Sequence, residues 1–86
     1  MYRAIFSRRA QRAFLALPMP QAQRIKEAIE RLVQEPRTPG TIKLDHAPVA
    51  QYRHRVGNWR ILFDIDDRRN VIEIVDIRKR DERTYR

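Results

Sequence analysis

Halfway along the chain the apolar residues change their spacing, and this limits the fold more than any other feature. Ile25, Ala28, Ile29, Leu32 and Val33 stand at i, i+3, i+4, i+7 and i+8, one continuous apolar stripe on a helix. From Tyr52 onward the period falls to two, in β-branched and aromatic runs at 52–56, 59–65 and 71–77. Helices followed by consecutive strands imply an α+β fold, one sheet with its helices on one face. At 86 residues the chain has room for one domain, 1–86. It has no cysteine, so the small core must hold without disulfides or a thiolate metal cluster.

The local signals give the order of elements. Residues 2–6 (YRAIF) read as a first strand, and Ser7 as the N-cap of a helix over 8–17, with Ala10, Ala13, Phe14 and Leu17 on one face. Pro18 and Pro20 interrupt it, and the striped helix follows over 21–34. Pro36, Pro39 and Gly40 then open a loop that runs to about Gln51. Gly57-Asn58, with glycine first, suits a two-residue type II′ hairpin turn between the next two strands. Residues 66–70 form a longer turn before VIEIVDI at 71–77, expected to be a central strand because both its faces carry apolar residues. The expected architecture is β-α-α-β-β-β, a helical hairpin packed on one face of an antiparallel-rich four-stranded sheet that the first strand joins.

Charge narrows the function. Nineteen Lys+Arg against eleven Asp+Glu leave a net +8, and 16 of the 19 are arginine. Arginine presents a planar fork that matches phosphate oxygens bidentately and stacks on bases. Such a balance points to a nucleic acid, or to an acidic protein that takes its place. No apolar run approaches the roughly 20 residues of a membrane span, and the N-terminus lacks a signal-peptide core, so a cytoplasmic protein is expected.

Alternation along 52–56 sends Tyr52, His54 and Val56 to the helix side and Arg53 and Arg55 to the open face. Arg60 starts the partner strand just across the tight turn and joins them. Arg78, Lys79, Arg80 and Arg83 follow the last strand, with Tyr85 close behind. Arginines on an open sheet face beside an aromatic residue form a surface suited to single-stranded RNA. On the same parity His54 is a core or boundary histidine with a satisfied hydrogen bond, and Trp59 a core or rim aromatic. His46 is a loop residue. Asp64, Asp66 and Asp67 serve turn chemistry and ion pairing. There is no Gly-rich phosphate loop, nucleophile elbow or zinc spacing, so neither metal nor cofactor is expected.

The element order, the segment YRHRVGNWRILFDID at 52–66, the ending IRKRDERTYR at 77–86 and the opening YRAIFSRRAQRAF at 2–14 together resemble the RelE/ParE superfamily of type II toxins. The likeness covers nearly the whole chain, and its most specific parts are the YR-x-R-x-G-x-x-R hairpin and the KR…Y tail. It is closest to the RelE-like branch. It implies a ribosome-dependent endoribonuclease that cuts mRNA in the ribosomal A site without a metal. It also implies neutralisation by a cognate antitoxin in a hetero-oligomer. The matching catalytic positions are Arg55, Arg60, Arg80 and Tyr85. RNA binding falls to Arg53, Arg55, Arg78, Lys79 and Arg83.

Those residue types suit the reaction. When a 2′-hydroxyl attacks the adjacent phosphate, the pentacoordinate phosphorane carries extra negative charge that guanidinium groups stabilise, and Arg60 and Arg80 are assigned that role. Tyr85 has two assigned roles, stacking on the base at the cut or accepting the proton under a lowered pKa. One departure from the family pattern matters. RelE-type enzymes typically carry lysines where this chain has Arg53 and Arg55, and arginine does not readily accept a proton. Proton abstraction then falls to Tyr85, to His54 if it faces the other way, or to the ribosome. Two further readings stand beside the nuclease: a ParE-like inhibitor of DNA gyrase on the same fold, and a basic RNA-binding module or inactive relic. An antitoxin would bring an acidic or amphipathic segment, for which the stripe ending near Val33 is the expected groove.

Overall fold

A computed structural model describes residues 1–45 and 49–79. The chain runs β1 (Arg3–Phe6), α1 (Arg8–Leu15), α2 (Met19–Gln34), β2 (Thr41–Lys43), β3 (Tyr52–Val56), β4 (Trp59–Asp66) and β5 (Val71–Lys79). The strands form one sheet in the order β1-β5-β4-β3-β2. β1 lies parallel to β5, and the other neighbours are antiparallel.

Ser7 caps α1 as the sequence implies: its Oγ accepts from the Ala10 N–H at 3.0 Å. The same hydroxyl donates to the Val75 carbonyl at 2.6 Å, which ties the helix start to the sheet. α1 ends at Leu15, two residues short of the expected end, because Leu17 precedes Pro18 and is pushed out of the α region. α2 begins two residues early, at Met19. Pro18 takes its N-cap and Pro20 its first turn, where the missing N–H is one that the helix leaves unpaired anyway.

The sheet has five strands where four were expected. Thr41–Lys43, placed in a loop by the sequence, pairs with β3 through Thr41↔His54, Ile42↔Arg53 and Lys43↔Tyr52. Three residues are too few to show a period, and a partner strand decides their state. The hairpin turn has the expected form: Val56 pairs with Trp59, Gly57 takes φ +58°, and among the described residues the only non-glycine with positive φ is Asn70. β5 lies inside the sheet between β1 and β4, and the middle place falls to β4.

The core fills the space between helices and sheet. Ala10, Ile25, Ala28, Ile29 and Leu32 meet Ile61, Phe63, Ile72, Ile74 and Ile77. The α2 stripe is therefore spent on the sheet, with Val33 half-buried against the same core. Burying that stripe holds the helix in place, so most of the surface expected to offer a groove near Val33 is covered by the sheet.

One irregularity sets the rest of the geometry. On β5 the register jumps from Asp76, opposite Leu62, to Ile74, opposite Phe63, leaving Val75 as a β-bulge. Alternation from Val71 and Glu73 would carry Val75, Ile77 and Lys79 to the open face. The bulge reverses it, turning Ile77 into the core and Asp76 and Arg78 outward.

Candidate nucleic-acid interface

Residues directly opposite one another on antiparallel strands point to the same face, with Cβ atoms about 4.5–5.5 Å apart. Arg55 on β3 stands opposite Arg60 on β4, and Arg60 stands opposite Arg78 on β5. Three arginines thus cross the open face in one row, at the end of the sheet beside the Gly57-Asn58 turn. Across two strand spacings the row spans about 10 Å. The next row holds Ile42, Arg53, Leu62 and Asp76 in line.

Of the sequence-assigned residues, Arg53, Arg55, Arg60 and Arg78 come together on this face. Lys79 does not join them: it pairs with Trp59, on the face that the helices cover. The bulge at Val75 is the reason. Arg80, Arg83 and Tyr85 lie outside the described residues, as does His46.

His54 faces the helix side, as parity requires. It is 8% exposed, and its Nδ1 lies 2.9 Å from the Thr41 hydroxyl. Burial, reinforced by the positive charges of Arg31 and Arg53, holds the imidazole below the ordinary histidine pKa. That orientation removes His54 as a proton acceptor for chemistry at the arginine row.

The lowered value has a consequence for stability. The unfolded chain takes up the His54 proton at the ordinary value near 6.5 while the folded chain still refuses it. Stability is therefore full above that pH and falls as the pH drops below it. Thermal midpoints measured from pH 7.5 to 5 are expected to fall, and His54→Gln is expected to flatten the curve. A parent chain with no loss over that range would contradict this assignment.

Gly40 packs against the same ring. Its φ is +98°, and a Cβ there would sit 3.2 Å from His54 Cε1. Its carbonyl also accepts from the Arg55 N–H at 3.3 Å, beside the arginine row. Gly40→Ala is expected to cost about 1–3 kcal/mol, from backbone strain and the crowded imidazole. Urea unfolding measures this directly, and a midpoint equal to the parent's would refute it.

The carboxylates do the turn work expected of them. Asp64 accepts from the Gln51 N–H at 2.8 Å, and Asp66 accepts from the N–H groups of Arg68 and Arg69 at 3.1 and 3.2 Å. Asp67 receives the Tyr2 hydroxyl at 2.6 Å and pairs with Arg37 at 2.9 Å. Arg37 lies 5.9 Å from the Tyr52 ring centre. The Arg37 contact is the main reason the Asp67 carboxyl sits below its usual pKa.

Two features of this face were not anticipated from the sequence. At the end opposite the arginine row, Asp64, Asp66, Asp67 and Glu73 line a groove of about 710 Å³ together with Arg68 and Arg69. Among the described residues the arginine row thus lies at one end of the face and this carboxylate-lined groove at the other. The second feature is Asp76, buried beneath Arg78, whose Nε donates to its carboxylate at 2.8 Å. The D-x-R spacing on a strand already carried that signal.

The sequence profile of the ParE toxin of the parDE type II toxin-antitoxin system matches residues 4–84. The chain belongs to this toxin family. A search of curated proteins gave no match. Among solved structures, the toxin-antitoxin complex RelBE2 of Mycobacterium tuberculosis superposes with a TM-score of 0.80 at 26% identity, covering 92% of this chain and 98% of that one. The archaeal RelE-RelB complex of Pyrococcus horikoshii gives 0.78 at 27% identity, covering 94% and 97%. The isolated RelE toxin of E. coli gives 0.80 at 19% identity, covering 95% and 87%, a likeness of fold alone. The chain is thus a type II toxin of the RelE/ParE superfamily, as the sequence motifs imply. Among its described residues no helix is long and apolar enough to cross a membrane.

Proposed function

We propose that this toxin is an endoribonuclease that cuts mRNA in the ribosomal A site. The observation that carries the proposal is the row Arg55–Arg60–Arg78 across three strands. A row of fixed guanidinium groups fits a phosphodiester whose charge grows during reaction. In the proposed step the 2′-oxygen loses its proton and attacks the adjacent phosphorus. The P–O5′ bond breaks, leaving a 2′,3′-cyclic phosphate, and the 5′-oxygen leaves with a proton. Arg60, central in the row, is assigned to the phosphorane, with Arg55 beside it and Arg80 as the expected second contributor. Arg53 and Arg78 hold neighbouring phosphates. Since arginine keeps its proton and His54 faces away, proton abstraction is assigned to Tyr85 or to the ribosome.

A cognate antitoxin is the proposed partner, an acidic or amphipathic segment that neutralises the basic face. Two of the similar solved structures are toxin-antitoxin complexes, which supports this. A second reading has a specific observation behind it: the matching profile is that of ParE, which favours a gyrase inhibitor without nuclease chemistry.

One experiment separates them. The chain is expressed in a bacterial host, and a translated reporter mRNA is mapped by primer extension. Cuts within the translated frame that vanish when translation is blocked are expected. Growth arrest without cuts, accompanied by inhibited DNA supercoiling, would move the chain to the gyrase reading.

A further inference from the structure

We infer that Asp76 is a positioning residue whose buried carboxylate fixes the Arg78 guanidinium so that its terminal N–H groups meet a phosphate of the bound strand. The inference rests on the RNA reading of the open face. Asp76 is 6% exposed and does two things at once. Its Oδ1 accepts from the Ile77 N–H at 2.8 Å, and its Oδ2 accepts from Arg78 Nε at 2.8 Å. The first bond locks the carboxylate to the strand, and the second turns the arginine about that fixed point.

A guanidinium has five N–H bonds arranged as a planar fork. Asp76 takes the inner one, at Nε, and leaves the four terminal N–H bonds outside that contact. Arg78 therefore offers a phosphate its end rather than its side. Its partner in the row is Arg60, directly across on β4. A surface ion pair is ordinarily worth little, because two long side chains must be ordered to make it. Here one partner is short, buried and held by the backbone, so the pair spends itself on orientation. The bulge at Val75 makes the arrangement possible by turning both residues outward, and the Ser7 hydroxyl secures that bulge through the Val75 carbonyl.

Electrostatics alone predicts the opposite of positioning, which makes the test sharp. Asp76→Asn keeps an oxygen for the Ile77 N–H but can set an amide N–H against Arg78 Nε, so the fold is retained and the arginine is released. It also removes a negative charge beside the phosphate site, which by Coulomb attraction alone tightens binding. The full-length chain is titrated into a short fluorescein-labelled single-stranded oligoribonucleotide over a series of salt concentrations. Asp76→Asn is expected to weaken binding about fivefold despite its added positive charge. Arg78→Ala is expected to weaken it to a similar extent and to lower the salt slope by about 0.7, one phosphate on a single strand. The double variant is expected to be no weaker than Arg78→Ala alone.

If Asp76→Asn binds as well as the parent or better, the positioning role is overturned while the RNA reading stands. If the parent shows no salt-dependent binding, the RNA reading falls and takes this inference with it. The Arg78 Nε–Hε resonance gives a readout independent of RNA. It is expected to stand apart from the other arginines in the parent and to rejoin them in Asp76→Asn, with the Ile77 amide unmoved. A parent resonance already among the others would overturn the role.

Discussion

Phe63→Ala is expected to lower the stability of the chain by about 3–5 kcal/mol. Phe63 is fully buried on the middle strand and faces the helices. Its ring stacks on Tyr52, with centroids 5.7 Å apart and planes inclined by 22°. Removing a buried phenyl forfeits its transfer free energy and leaves a cavity, together about 3–5 kcal/mol. A small domain holds only about 5–15 kcal/mol in all, and one without disulfides sits toward the lower end. The substitution thus removes a large share of the total. Urea unfolding followed by circular dichroism checks this, with Leu15→Ala as the control. Leu15 is 76% exposed, so its truncation is expected to change stability by less than about 0.5 kcal/mol. Equal losses at the two positions would mean that the core is not where the fold puts it.

The second large effect concerns activity without folding. Arg60→Ala is expected to abolish growth arrest and to reduce mRNA cleavage by about 100- to 1,000-fold, the usual cost of one preorganised charge-stabilising donor. Arg60 occupies the centre of the row, with Arg55 on one side and Arg78 on the other. In the proposed mechanism its loss leaves Arg55 and Arg78 without the central guanidinium between them. Arg60→Lys restores a point charge without the planar fork and is expected to recover only part of the rate. Thermal unfolding of each variant guards against a trivial cause. A folded Arg60→Ala chain that still cuts at the parent's rate would take Arg60 out of the chemistry.

Much of this face was legible because it depends on local rules. Glycine ahead of asparagine sets a two-residue hairpin, and a two-residue hairpin fixes the register of β3 against β4. From there, strict alternation places Arg53 and Arg55 outward and His54 inward. Counting worked on β3 because nothing interrupts that strand. On β5 the sequence assigned both Arg78 and Lys79 to the RNA surface, and the extra residue at Val75 reverses the alternation so that only Arg78 joins the row. A bulge depends on what the partner strand and the Ser7 hydroxyl do, and no composition at 71–77 announces it. β2 escaped for a related reason: three residues acquire strand geometry from the neighbour they pair with. The groove end of the sheet was missed because its carboxylates come from separate strands, and only the pairing of Asp64 with Glu73 and of Ile5 with Glu73 gathers them.

The unequal ends of the open face bear on how the toxin reaches its target. A body with charge +8 drifts toward any polyanion, whichever side it shows. Here the groove is lined by four carboxylates and two arginines, with Arg37 paired to Asp67, while the opposite edge carries Arg55, Arg60 and Arg78 abreast. In the field of a phosphate chain such a distribution feels a torque as well as a pull. The molecule turns while still approaching, and first contact falls preferentially on the hairpin edge. Added salt then slows the encounter in two ways at once, by weakening the attraction and by blurring the alignment.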